Sequence, residues 1–563
     1  MNPDLAMPTT ASPSPPEVSL DALLREQRDL TAVERFARWH DRAQGATHAP
    51  QYHDLIPLSL PQPGEQYAFE VDLEACSGCK ACVTACHHLN GLDEHETWRS
   101  VGLLQAAEST LPILQHVTTA CHHCVEPACL AGCPTQAYAK DAVTGIVRHL
   151  DDQCFGCQYC ILMCPYEVPT YSPARGIVRK CDMCRQRLAE NELPACVQGC
   201  PNGAIAIRIV SQTELRERAA AGVFLPTAPD PAMTKPSTVY LGSDTGSEVL
   251  VAGDHDQFHA AHAHWPLVFM LVLTQMSVGI LGLGHLLIYW LEWLPGESSC
   301  TLVNVTAAAS GFVGAHLALL HLGRPLQAYR AWLGWRTSWL SREVLAFGMY
   351  APLVTLTAVG SLLPDSRVAS WLLGVGEMAA IAAGIVAVTC SAMIYVATRR
   401  PWWNARRTFG RFAYTALLLG SATCVAITAL AVDDSGSPWQ DYYYPLLLMS
   451  MGGAVVLVRL QFERHWTQTA LQHSEMAIRG SARLLTGELQ TAVRCQHVSA
   501  ITGAVLIPLA MMLLLTADVS GTRGLFAALT IVGVGLILLS EICERYLFFA
   551  AVVAPRMPGA MPR

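Results

Sequence analysis

Sixteen of the 21 cysteines fall between Cys76 and Cys200, and their spacing limits what this chain can fold around. They form four groups of four. The first is Cys76, Cys79, Cys82 and Cys86, and the second is Cys121, Cys124, Cys129 and Cys133. The third is Cys154, Cys157, Cys160 and Cys164, and the fourth is Cys181, Cys184, Cys196 and Cys200. In a C-x2-C-x2-C loop three thiolates close on one cubane, and a fourth cysteine three residues on points at a second, so such groups work in pairs. Four-thiolate zinc sites also use C-x2-C pairs, but zinc has no use for the repeated x3-Cys-Pro tail. A disulfide framework would favour dispersed cysteines in a small secreted domain. The spacing therefore predicts four [4Fe–4S] clusters.

The residues around those cysteines carry a resemblance. "CHHCVEPACLAGCP", "DQCFGCQYCILMCPYEVPTY" and "KCDMCRQRLAENELPACVQGCP" resemble the iron–sulfur electron-transfer subunit of dimethyl sulfoxide reductase-type molybdoenzymes. The resemblance implies that the first group pairs with the fourth and the second with the third. Cluster one would then use Cys76, Cys79, Cys82 and Cys200, and cluster two Cys181, Cys184, Cys196 and Cys86. Cluster three would use Cys121, Cys124, Cys129 and Cys164, and cluster four Cys154, Cys157, Cys160 and Cys133. Some relatives replace one cysteine and carry a [3Fe–4S] cluster; all sixteen are present here. The one departure is His87 after Cys86, where the other groups have proline.

A chain of 563 residues predicts two or three domains. Its net charge of −8 and lack of a basic stretch exclude a nucleic-acid role. Residues 1–65 read as a tail with a short helical arm, in which Thr31 and Glu34 have capping-box spacing. Residues 66–210 read as an α+β ferredoxin-like iron–sulfur domain. Residues 211–262 read as a polar linker, and its histidines (His255, His259, His262, His264) as solvated. Residues 263–550 read as an all-α transmembrane bundle of about eight helices, and 551–563 as a tail. The first 17 residues lack an apolar core and a twin arginine, which is not the pattern of an export signal. That predicts cluster assembly in the cytoplasm.

Loops on the amino-terminal side of the membrane carry Arg324, Arg330, Arg336 and Arg342, then Arg399, Arg400, Arg406 and Arg407. Loops on the far side carry Glu292, Glu297, Asp433, Asp434 and Asp441. An excess of Lys and Arg marks the cytoplasmic face, so the iron–sulfur domain is expected on the cytoplasmic side of a bacterial inner membrane. "HAHWPLVFMLVLTQMSVG", "LHLGRPLQAYRAWLGWRTSWLSREV" and "RRPWWNARRTF" resemble the quinol-binding membrane-anchor subunit of the same reductases. The chain thus resembles a fusion of two subunits.

A quinone site needs an apolar slot and ionisable groups that exchange protons. His321 ends the second span and Glu343 opens the third. The resemblance implies that both contact quinol. Without it, His321 could simply bond a loop carbonyl, and Glu343 could pair with Arg342 or Arg324. Glu377, inside the fourth span, has no evident partner, and Cys300, Cys390, Cys424, Cys495 and Cys543 read as small apolar residues.

No nucleotide loop, catalytic triad or pterin-binding domain is present in the sequence. The expectation is a membrane-anchored electron-transfer subunit linking the quinone pool to a separate molybdopterin catalytic subunit, as in anaerobic dimethyl sulfoxide reductase. Two rivals stand: the same role in a cytoplasm-facing sulfite-oxidising complex, and a membrane scaffold with zinc-binding modules.

Overall fold

The computed structural model describes residues 55–57, 59–106, 114–242, 250–293, 296–363, 367–431, 438–516 and 522–559, with fragments at 19–21 and 24–25. The helical arm expected over 19–43 lies largely outside the described residues.

The amino-terminal domain is built from short strands because cysteine loops interrupt the chain every few residues. β1 (Glu65–Asp72) pairs antiparallel with β8 (Ile205–Ser211) and parallel with β9 (Val239–Leu241). β2 (Ser100–Ala106) pairs antiparallel with β3 (Leu114–Thr119) and with β10 (Leu250–Ala252). Two hairpins complete the set: β4 (Tyr138–Lys140) with β5 (Val147–His149), and β6 (Thr170–Ser172) with β7 (Ile177–Arg179). The core mixes apolar side chains with thiols. Phe69, Val71, Leu104, Val117, Ile205 and Ile207 pack in one cluster with Cys82, Cys86, Cys121, Cys181 and Cys196. The cysteines thus share the centre of the domain with its apolar side chains.

Residues 211–262 are not a bare linker. They supply helix Gln212–Ala220 and the strands β9 and β10, which close one edge of each three-stranded sheet. Backbone pairing, invisible in a three-residue strand, draws this stretch onto the domain.

Among the described residues, eight helices are long and apolar enough to cross a membrane: Trp265–Trp290, Ser298–His321, Trp339–Gly360, Leu373–Val396, Ala405–Leu430, Tyr443–Leu471, Gln490–Thr516 and Gly524–Ala550. The chain is a multi-pass membrane protein. The first span is the most enclosed, and glycine lets it touch the fifth. A Cβ on Gly279 would lie 1.8 Å from the Ala416 carbonyl oxygen, and Gly420 backs onto Gly279. Such small-residue contacts bring helix backbones together where lipid gives no hydrophobic drive.

After an even number of crossings, the carboxy-terminal tail returns to the iron–sulfur domain. Met557 is buried in that domain's core, and Arg556 pairs with Asp254 at 2.6 Å. Gly102 in β2 leaves room for the Pro558 carbonyl, which a Cβ would meet at 2.1 Å.

Candidate functional site

The four cysteine groups are brought together in mixed sets. One cavity is lined by Cys76, Cys79, Cys82 and Cys200, and another by Cys121, Cys124, Cys129 and Cys164. Cys86 sits among Cys181, Cys184 and Cys196, close enough to interact electrostatically. Cys133 sits likewise among Cys154, Cys157 and Cys160. Each last cysteine thus joins three from another group, the arrangement that the resemblance implied.

The loops are shaped for close approach to a metal cluster. Gly78, Gly156, Lys80, Gln158, Met183 and Cys184 adopt positive φ, curling backbone around the sulfurs. Backbone N–H groups of Ala137, Ala204, Gly156 and Met183 donate to the sulfurs of Cys133, Cys200, Cys154 and Cys181 at 3.2–3.4 Å. All described cysteines are free thiols. Burial pushes the Cys86 thiol up to about 12 and the Cys164 thiol to about 11, so without metal these groups hold their protons. A metal cluster supplies the positive charge that turns them into thiolates. The residues present fit iron–sulfur clusters.

Two buried cations stand between the sets. Arg99 is 2% exposed, lies 4.6 Å over the Phe69 ring and donates to Thr118 Oγ1, itself 3.5 Å from Cys82 Sγ. Burial alone would lower the Lys180 ammonium, but Cys121, Cys129 and Cys181 outweigh it and hold it up. Its Nζ lies 3.6 Å from Cys121 Sγ.

The loop 321–343 locks the third and second cysteine groups onto the membrane. Arg324 N donates to Phe155 O at 3.0 Å, and Arg324 and Arg330 side chains donate to the Asp151 and Asp152 carbonyls. Gly334 N donates to Pro134 O at 2.7 Å, and Ser338 Oγ to Gly132 O at 2.7 Å. Gly156, Gly176 and Gly323 meet backbone to backbone, with no room for a Cβ on any of them.

At this junction lies a mainly apolar cavity of about 560 Å³. His321 and Glu343 both line it, and Cys157 and Tyr159 line it from the iron–sulfur domain. Glu343 is buried and accepts a hydrogen bond from Ser391 Oγ. Among the described residues it pairs with neither arginine suggested by the sequence: Arg342 lies over Trp339 and donates to the Trp335 and Arg336 carbonyls, and Arg324 is held by Asp151. Among the described residues, Nδ1 of His321 is buried and makes no side-chain hydrogen bond, and the ring lies against the Ala318 carbonyl of its own helical turn. Tyr159 Oη donates to Ile394 O at 3.0 Å, and burial, then Glu343, pushes the phenol up.

Sequence reasoning missed Tyr159, Tyr395, Arg400, His262 and His264, which also line this cavity. His264 is half-buried there rather than solvated, whereas His262 remains exposed, as expected from the sequence. The Ala261 N–H donates to Ala550 O, which draws that segment over the cavity. A histidine one residue before the first span was the available signal.

Glu377 does have partners. His285 Nδ1 lies 3.5 Å from Glu377 Oε2, and Asn304 Nδ2 donates to Oε1 at 3.1 Å.

Residues 258–551, just over half of the chain, match the family model described as "DMSO reductase anchor subunit (DmsC)". The chain belongs to the DMSO reductase anchor-subunit family. In this family member the anchor follows a fused iron–sulfur electron-transfer part, where residues 113–209 match a 4Fe-4S dicluster domain. That part is 32% identical over 184 residues to the B subunit of the anaerobic dimethyl sulfoxide reductase of Haemophilus influenzae, covering 31% of this chain and 88% of that protein. It is 35% identical over 154 residues to the thiosulfate reductase electron transfer subunit PhsB of Salmonella typhi, covering 27% and 80%. It is also 36% identical over 162 residues to the hydrogenase-2 operon protein HybA of Escherichia coli O157:H7, covering 24% and 49%.

Proposed function

We propose that this fused anchor subunit carries electrons between a quinone in the 560 Å³ cavity and four [4Fe–4S] clusters, and from there to a separate molybdopterin catalytic subunit. The observation that carries this reading is the shared cavity: His321 and Glu343 face the same space as Cys157 and Tyr159. A quinone reaching that space sits beside the fourth cysteine set.

When bound, the clusters supply one-electron relays, held by the four mixed sets of cysteines described above. The rest falls to side chains. Glu343, kept in place by Ser391, accepts the proton released from a quinol hydroxyl. His321, on the same cavity, takes the second hydroxyl's hydrogen bond and then its proton, so that two protons leave with the two electrons. Trp403, Phe549 and Tyr395 enclose the ring and exclude water. Arg99 and Lys180 offset the negative charge of thiolate-bound clusters in a domain too dry to do so with solvent. The arginine-rich loops favour the cytoplasmic face for this machinery.

The resemblance to the B subunit of dimethyl sulfoxide reductase favours quinol oxidation with an S- or N-oxide as terminal acceptor. A cytoplasmic placement favours the second reading, in which sulfite feeds electrons to quinone. The test is anaerobic. Complex whose clusters have been reduced by a quinol analogue is mixed with dimethyl sulfoxide or trimethylamine oxide, and oxidised complex with sulfite. Re-oxidation by the oxides supports the first direction, and bleaching by sulfite the second. If quinol leaves the clusters oxidised in wild type, the quinone reading fails. Iron and acid-labile sulfide at about 16 of each per chain separate both readings from a zinc scaffold.

A further inference from the structure

Far from the cysteine domain, four polar side chains converge between the first, second and fourth spans. His285 is near the end of the first span, Cys300 and Asn304 are near the start of the second, and Glu377 lies inside the fourth. His285 is 1% exposed and Glu377 3%. The donor atoms of His285, Cys300 and Glu377 all lie within 4.8 Å of one another.

The hydrogen bonds fix which atoms face inward. Asn304 Nδ2 donates to Glu377 Oε1 at 3.1 Å, which turns its Oδ1 toward His285 Nε2 at 3.0 Å. That nitrogen therefore carries the ring proton. His285 Nδ1 is left as a bare lone pair, buried with no hydrogen-bond partner among the described residues, 3.5 Å from Glu377 Oε2. Two acceptors face each other in a dry site. Cys300 Sγ lies 3.9 Å from Glu377 Oε1 and is itself approached by Tyr289 Oη at 3.6 Å and Asn304 Nδ2 at 3.7 Å. Among the described residues no lysine or arginine pairs with this carboxylate. A buried carboxylate facing a lone pair calls for a cation between them.

We propose that His285 Nδ1, Cys300 Sγ and Glu377 bind a zinc-class divalent ion that pins the far-side ends of the first, second and fourth spans together. A nitrogen, a thiolate and a carboxylate suit borderline-soft zinc. Tetrahedral zinc puts its ligand atoms about 3.3–3.6 Å apart, so the widest pair, within 4.8 Å here, closes by up to about 1.2 Å on binding. Asn304 plays the part of the outer partner that holds a metal-binding histidine through its other ring nitrogen. Cys300 is released as thiolate on binding, so uptake gives off one proton per ion.

The test uses the full chain, purified anaerobically from cells given zinc, with metals counted against iron. Wild type is expected to hold one zinc per chain beyond its iron. Cys300→Ser and Glu377→Gln are expected to lose it while iron and sulfide per chain stay unchanged, which separates this site from misloaded cysteine loops. Because a variant could fail to accumulate, Cys300 in wild type is also mapped by alkylation and mass spectrometry. Labelling of Cys300 should rise at least tenfold after chelator treatment. Zinc absent from wild type, zinc retained in the variants, or labelling indifferent to chelator overturns the proposal. The last outcome would leave His285 and Glu377 as a pair sharing a proton.

Discussion

Replacing Gly323 with alanine tests the junction on which the proposed function depends. A Cβ there would lie 2.1 Å from the Gly176 carbonyl oxygen and 2.8 Å from Gly176 Cα. Both are backbone atoms, which cannot rotate away. To restore even 3.0 Å, the loop must retreat by about 0.9 Å, and overpacking of this kind costs about 1–3 kcal/mol. The retreat separates the cavity, through His321 two residues away, from the loop of Cys154–Cys157. Misplacement of about 1 Å costs up to about 10²-fold where reacting groups must be held in position. Gly323→Ala should therefore slow stopped-flow bleaching of the clusters by quinol by about 10- to 100-fold. Direct reduction by dithionite, which bypasses the cavity, should stay at the wild-type rate. Gly374→Ala, where a Cβ meets nothing within 4 Å, is the control. Bleaching by quinol at the wild-type rate in Gly323→Ala would refute the reasoning.

Glu343→Gln, which keeps the volume and the Ser391 contact but takes no proton, should cut quinol-driven bleaching about 10²- to 10⁴-fold, read in the same stopped-flow assay. Arg99→Met removes a buried charge beside Cys82 and Cys86; potentiometric titration by electron paramagnetic resonance should show the cluster nearest those thiols shifted to a lower potential. His122 is held neutral by burial, its folded value near 3 against 6.5 when free. Stability is then full above pH 6.5 and falls as pH drops toward 3, by about 1.4 kcal/mol per pH unit for this group, because the unfolded chain binds the proton first. An acid titration followed by cluster absorbance should flatten by about one proton in His122→Asn. With quinone and substrate chemistry on one face, turnover in sealed vesicles should generate no membrane potential, measurable with a potential-sensitive dye.

The cysteine chemistry was legible because a metal loop is a local device. Three ligands within seven residues, as in Cys76–Cys82, constrain one another through the backbone alone. The eight spans were legible because burial in lipid is written in composition. What escaped depends on contacts far apart in sequence. β9 and β10 are three residues each, too short to show a period, and exist through their pairing with β1 and β2. Glu377 looked unpartnered because His285 and Asn304 reach it from other helices. Tyr159 reads as an ordinary aromatic in a cysteine loop until its hydroxyl meets Ile394, 235 residues later.

The sequence by itself determined the iron–sulfur chemistry, the membrane crossings and the choice of His321 and Glu343 as candidates for one site. Spacing and hydropathy act over a few residues, so a linear reading is enough for them. Only the tertiary structure decided that the third cysteine group, rather than another, abuts the cavity. That depends on the glycine contact among Gly156, Gly176 and Gly323 and on the carbonyls of Asp151 and Phe155 meeting Arg324. Backbone carbonyls carry no identity in the sequence, and which of them an arginine reaches is settled only when the chain has folded.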